Sequence, residues 1–339
     1  MKIFINCATG LGNIILFLPA YHALKNKYPN ADYVIGLDAR FYDDNFFKLQ
    51  FGEKCKFVKI TSKTNGHIRY LLSFCKLTAY SFDVTISAYN GSSVFSCICL
   101  LRVGAKRTIF FQTKSKLLNK LIQPVQHDLL NATHYININF LTVAALGVPP
   151  TISPKWLLLD DSIARDISKK LIWIGIHPGG NTNFNTARQW PKEYYKELLR
   201  IISKEFNVKF IFFGKGEKES KLIDFITTDC ISNTLKIVNQ SLNEVTNILS
   251  QCDLFVGNDS SLMHMSVALD ITTFCIIGPT NPMRTGPYGY KHKYIGLNLE
   301  CMPCFDKGLS EKCSHHSCIK KLYPEIVSQK IIAYLRNNK

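Results

Sequence analysis

Short apolar runs rich in Val, Ile and Phe alternate with amphipathic helical stretches along this chain. Residues 2–7 form the first such run, followed by a glycine turn and a helical pattern over 14–27. Further strand candidates lie at 32–37, 57–60, 83–88 and 107–111, with helical patterns at 67–76 and 92–101 between them. Strand, helix and strand in succession predict a mostly parallel sheet covered by helices on both faces.

The pattern breaks at Val148-Pro149-Pro150 and Pro154, so a linker is expected around 148–170, leading out through the charged stretch 160–170. It then restarts. Strands are expected at 171–177, 209–213, 235–238, 254–256 and 272–277, and a helix with proline at its first position at 191–204. Ser241-Leu242-Asn243-Glu244 has the spacing of a capping box and opens a helix to Gln251. Pro324 starts a last helix. At 339 residues the chain is long enough for two such domains, and a ligand would sit at the carboxyl ends of their strands.

Composition narrows the class. Hydrophobic residues are 46% and charged residues 19%, which excludes disorder, collagen and a small disulfide scaffold. The net charge of +16 favours an anionic partner, whether phosphorylated small molecule, nucleic acid or acidic membrane. No apolar run approaches the roughly 20 residues of a spanning helix, and no export signal is visible, so the chain is expected in a reducing cytoplasm with its 12 cysteines mostly as thiols.

Four loops at strand ends could hold a ligand. The first, Thr9-Gly10-Leu11-Gly12-Asn13, lets backbone N–H groups approach a substrate at a helix start. Ile15 stands where a dinucleotide fingerprint needs its third glycine, so on this motif alone a tight strand-to-helix turn is the favoured reading. The second is His177-Pro178-Gly179-Gly180-Asn181, followed by Arg188-Gln189-Trp190-Pro191, where Arg188 either grips phosphate or faces solvent beside a Trp plug. In the third, Gly257-Asn258-Asp259-Ser260-Ser261-Leu262-Met263-His264, Asp259 could accept ligand hydroxyls or cap a helix, and His264 could be a structural side chain. The fourth, Gly278-Pro279-Thr280-Asn281-Pro282 with Arg284-Thr285-Gly286-Pro287, is a rigid loop.

Taken in order, these pieces, with Leu18-Pro19, Ala23-Leu24 and Gly175-Ile176, resemble glycosyltransferase family 9, the bacterial heptosyltransferases that build lipopolysaccharide core. The resemblance implies an α/β GT-B architecture of two Rossmann-like domains with a cleft between them. The expected division is an acceptor-binding domain at 1–160, a nucleotide-sugar-binding domain at 161–322 and a helix at 323–339 crossing back onto the first. It implies inverting, metal-independent transfer of a sugar, typically from ADP-L-glycero-D-manno-heptose, with no cofactor required for catalysis. Partners would be the nucleotide-sugar donor, a glycan or lipid-linked saccharide acceptor and an anionic membrane touched peripherally from the cytoplasm; no nucleic acid is expected.

By position, Arg188 stands where the family has a Lys that contacts donor phosphate, and Asp259 matches the acid that holds sugar hydroxyls. Ser260, Ser261, Leu262 and Met263 match the pyrophosphate-facing turn, and His264 the donor-site His. His177, Gly179, Gly180, Pro279 and Thr280 lie on donor-side loops, and Glu217 and Gln240 fall where relatives contact ribose and base. Thr9, Gly10, Leu11 and Gly12 form the acceptor loop. The family often carries Asp as the proposed base where this chain has Asn13, and an amide cannot take a proton at neutral pH. Asp38, after the second strand, is the candidate base on placement alone.

Cys301, Cys304, Cys313 and Cys318 read either as a structural zinc or iron site or as a buried thiol cluster. Asn13 also prompts the alternative of an inactive or different-donor homologue, and the net charge that of a nucleic-acid binder.

Overall fold

The computed structural model describes residues 1–61, 66–89, 91, 93–126, 133–160, 171–180, 188–228 and 233–338. The chain divides into two compact units, Met1–Leu158 and Leu159–Lys339.

The first unit holds β1 (Lys2–Cys7), β2 (Asp32–Asp38), β3 (Lys56–Ile60), β4 (Val84–Ser87), β5 (Arg107–Phe111) and β6 (Gln123–Val125). All pair in parallel in the order β3-β2-β1-β4-β5-β6. A parallel sheet is covered on both faces, so its central strands are continuously apolar. Ile3, Phe4 and Ile5 of β1 are fully buried. The order reverses direction between β1 and β4, and ligands bind at such a switch point. There the turn after β1 enters the helix Leu11–Lys27.

That helix carries Pro19 in its interior. Proline has no N–H, which orphans the Ile15 carbonyl one turn back. The Trp156 indole N–H fills the vacancy, donating to Ile15 O at 3.2 Å. Close by, Gln50 pairs through both its amide atoms with the backbone of Leu158. Residues 156–158 therefore belong to the first unit rather than to the linker expected from 148; positions 161–170 lie outside the described residues.

The second unit repeats the plan with β7 (Ile172–His177), β8 (Val208–Gly214), β9 (Thr234–Val238), β10 (Leu254–Asn258), β11 (Thr272–Ile276) and β12 (Lys293–Ile295), in the order β12-β11-β10-β7-β8-β9. Its switch point lies between β7 and β10. Ser241 and Glu244 form the expected capping box. The final helix, Pro324–Asn337, was expected to cross to the first unit, but its apolar stripe is used in its own. Val327, Ile331 and Leu335 join the core formed with the helix Lys192–Glu205. Tyr334 meets Thr272 at 2.9 Å, and Arg336 pairs with Glu205.

Candidate functional site

The second unit brings three of the four loops together at the carboxyl ends of β7, β10 and β11. Asn258 ends β10 with its side chain fully committed. Its Nδ2 donates to the carbonyls of Pro178 and Gly179, at 2.7 and 3.0 Å. Its Oδ1 accepts from the Trp190 N–H and the Tyr195 hydroxyl. One buried amide thus fixes the loop after β7 to the start of the helix Lys192–Glu205. Trp190 is a core plug whose indole donates to Leu322 O.

His177 stands between Ser260 and Glu219. Its Nδ1 is 2.9 Å from Ser260 Oγ and its Nε2 is 3.5 Å from Glu219 Oε2. The carboxylate favours a proton on Nε2, which leaves Nδ1 to accept the Ser260 hydroxyl. Glu219 also accepts from the N–H groups of Gly180 and Lys215. Burial pushes its pKa up, but His177 and the two N–H groups together outweigh burial and hold it below its ordinary value. At Gly179 a Cβ would collide with the Glu219 carboxylate and displace it from His177 and Gly180. Gly180 adopts φ +143°, a conformation that favours glycine.

Because Ser260 Oγ turns to His177, it makes no cap for the helix Ser261–Ala268 that it precedes, and no acidic residue stands in the first turn. The first N–H groups of that helix are thereby left for an anion. Beside it, Arg188 donates to Asp259 O at 2.7 Å, with the same nitrogen 3.0 Å from Asp259 Oδ2. Its guanidinium lies over the Phe305 ring at 5.3 Å. Two buried polar atoms here lack a partner among the described residues, Arg188 Nε and Thr280 Oγ1, and Asp259 Oδ2 has only the Arg188 guanidinium beside it. A donor and a hydroxyl without partners among the described residues, beside a carboxylate held only by Arg188, match a ligand carrying both phosphate and hydroxyl groups. Ser261 and Leu262 are half-buried at the helix start, His264 is buried one turn on, and Met263 is wholly in the core.

Glu217 is exposed and pairs with Lys221, so Glu219, two positions on, is the acid that reaches the loop. Gln240 is exposed at the end of β9, where the preceding Asn239 accepts from Gly216 N and joins the loops after β8 and β9. Glu219, Asn258 and Phe305 were missed as site residues by sequence reasoning.

The cysteine segment supports this edge. Pro279 O accepts from the N–H groups of Cys304 and Phe305, and Asp306 pairs with Arg284 at 2.7 Å. Cys301, Cys304, Cys313 and Cys318 are all free thiols. Burial first, then the charges of the other three, raise the Cys318 thiol to about 11. The four sulfurs are thus neighbours, yet among the described residues no group of three has the spacing to hold a metal. As placed, the described residues do not form a closed tetrahedral site.

In the first unit, Gly10 leaves open space where a Cβ would stand, and the helix it precedes has no side-chain cap. Asn13 Nδ2 donates to Thr9 Oγ1 at 2.9 Å, and Asn6 holds the turn by accepting from Ala8 N. A small cavity beside Thr9 is lined by Asn6, Tyr70, Ser87 and Ser96 together with Ala8, Ala88 and Phe110. Asp38 is buried at the end of β2, its two oxygens taken by the Arg40 fork at 3.0 and 2.8 Å and by Arg40 N. Its charge reaches Tyr70; burial first, with Cys99 and Asp38, raises that phenol.

Comparison with known proteins agrees with this anatomy. The family model for glycosyltransferase family 9 (heptosyltransferase) matches residues 73–315. Lipooligosaccharide heptosyltransferase 2 of Campylobacter jejuni is 28% identical, covering 100% of this chain and 99% of that protein. Among solved structures, E. coli ADP-heptose lipopolysaccharide heptosyltransferase II superposes with TM-score 0.71 at 18% identity, over 100% of this chain and 99% of that one. E. coli heptosyltransferase WaaC with ADP-2-deoxy-2-fluoro heptose gives 0.72 at 14%, over 98% and 100%. The two doubly wound units are those of the GT-B class. The chain belongs to glycosyltransferase family 9, the heptosyltransferases.

Proposed function

We propose that this chain is an inverting heptosyltransferase that moves L-glycero-D-manno-heptose from its ADP derivative onto a lipopolysaccharide or lipooligosaccharide core acceptor, in the cytoplasm. The observation that carries the donor half is the pair of buried atoms without partners among the described residues, Arg188 Nε and Thr280 Oγ1, beside the Arg188–Asp259 ion pair and the uncapped Ser261–Ala268 helix. Attack of an acceptor hydroxyl on the anomeric carbon breaks the bond to the diphosphate. Positive charge develops on the sugar ring, and negative charge grows on the leaving group. Arg188 and the N–H groups after Ser260 meet the second, without calling on a metal. Asp259 accepts sugar hydroxyls, and Thr280 supplies a further hydrogen bond. His177 and Glu219 fix the loop so that these groups need no reorganisation. Glu217, in the first turn of the helix Gly216–Thr227, and Gln240, after β9, are the residues assigned to ribose and base by position.

On the acceptor side, Asn13 orients the attacking hydroxyl with its amide oxygen. Asp38 takes the proton once Arg40 yields one of the carboxylate oxygens it holds. The lipid-linked acceptor accounts for part of the positive charge of the chain.

Thermal stabilisation by a panel of nucleotide sugars tests this, since a ligand that binds only the folded state raises its apparent stability. ADP should give a shift and ADP-heptose a larger one; Arg188→Ala should abolish most of both, while Asp38→Asn keeps the shift and loses turnover. A shift with UDP- or GDP-sugars alone would replace the donor, and no shift with any would sink the donor site.

A further inference from the structure

Three short helices of the first unit each expose an apolar pair one turn apart. On His67–Cys75 these are Ile68 and Leu72, at 76% and 55% exposure; on Val94–Leu101, Val94 and Ile98, at 38% and 41%; on Lys116–Leu121, Leu117 and Leu121, at 69% and 59%. The helices are consecutive neighbours in space. The first two pack through His67 and Tyr70 against Phe95, and the second touches the third. Residues three or four apart share a helix face, so the pairs form one surface rather than scattered exceptions. Single exposed aliphatics need no explanation, but a run of six on adjacent helices does.

The charge of the same segment is one-sided. Residues 66–121 contain eight Lys and Arg against one acid, Asp83, and that acid is paired with Lys106. Arg69 follows Ile68, Lys116 and Lys120 each precede one of the exposed leucines, and Lys114 is exposed just before them. Aliphatic side chains ringed by cations fit an interface with acidic headgroups, where the chains enter the acyl boundary and the cations meet phosphate. A second copy of the chain fits badly, since it would bring the same cations to the same face.

We propose that this three-helix face docks the protein on the surface of an anionic bilayer. The inference goes beyond the assignment of donor and acceptor groups and stands on its own observations. The inner sides of the first two helices carry Tyr70 and Ser96, which line the cavity beside Thr9. Docking by the outer face therefore holds the acceptor loop near the membrane that carries a lipid-linked substrate.

Vesicle flotation tests the proposal, using phosphatidylcholine vesicles with and without phosphatidylglycerol. The wild-type chain should float only with the anionic vesicles and be released by salt. Leu117→Ser/Leu121→Ser and, separately, Lys116→Glu/Lys120→Glu should each weaken binding at least about tenfold. Both should keep the melting temperature and the ADP-induced shift, which separates loss of docking from misfolding. Wild-type binding by both variants, or equal flotation with neutral vesicles, would overturn the proposal. So would sedimentation showing a dimer that the serine variant dissolves. An absent ADP shift with intact flotation would count against the donor site and leave this face standing.

Discussion

Glu219 and Gly179 illustrate how the site is specified residue by residue. The carboxylate fills the space a Cβ at 179 would take, and braces His177 and Gly180 at once. Gly179→Ala should therefore weaken ADP-heptose binding about tenfold or more, and in a double-mutant cycle with Glu219→Ala the costs should be strongly non-additive. Additive costs in melting temperature would show that the two do not share the space. His292 makes a separate prediction. Burial, the largest cause, lowers its pKa from 6.5 to about 4, and its Nδ1 has no partner among the described residues. The unfolded chain takes the proton first, so this contribution is complete above about pH 6.5 and is lost as pH falls toward 4. The full loss is on the order of 3 kcal/mol. Urea unfolding across that range should show a shallower acid slope in His292→Asn than in the wild type; equal slopes would rule His292 out as the cause.

At the scale of elements, the central strands and their helices were legible because parallel strands are continuously apolar and end in glycine turns. The edge strands β6 and β12 were not, since three residues each carry no periodic signal. The helix Gly216–Thr227, which delivers Glu219, was also overlooked. Its first turn is charged and it begins with a glycine after Lys215, which makes no side-chain cap, so it resembles a loop. Pro19 was visible, but its consequence was not, because its remedy comes from Trp156, far along the chain. Trp156→Phe keeps the ring and removes the indole N–H, leaving the Ile15 carbonyl buried without its donor. The expected loss is about 1–3 kcal/mol, read from chemical denaturation at unchanged m-value. Wild-type stability would mean that the carbonyl finds another partner.

For the whole molecule, the sequence motifs pointed to a family before any geometry was known, and the matched family agrees. What the motifs could not reveal was which neighbours their residues acquire. Asp259 and Arg188 are 71 positions apart and meet only because β7 and β10 adjoin at the switch point. The final helix likewise acquires its partner through the fold, laying its apolar stripe on the helix Lys192–Glu205, more than a hundred positions earlier. The account rests on one central claim, that the Arg188–Asp259–Ser260 edge serves transfer of heptose from an ADP donor. The most direct measurement incubates the full chain with ADP-heptose and a heptose-deficient lipopolysaccharide core acceptor, following ADP release and acceptor mass together. The account predicts one ADP released for each heptose gained, and a loss of about a hundredfold or more in kcat/KM for Arg188→Ala. ADP-heptose left intact with every core acceptor, while another nucleotide sugar is consumed, would contradict it.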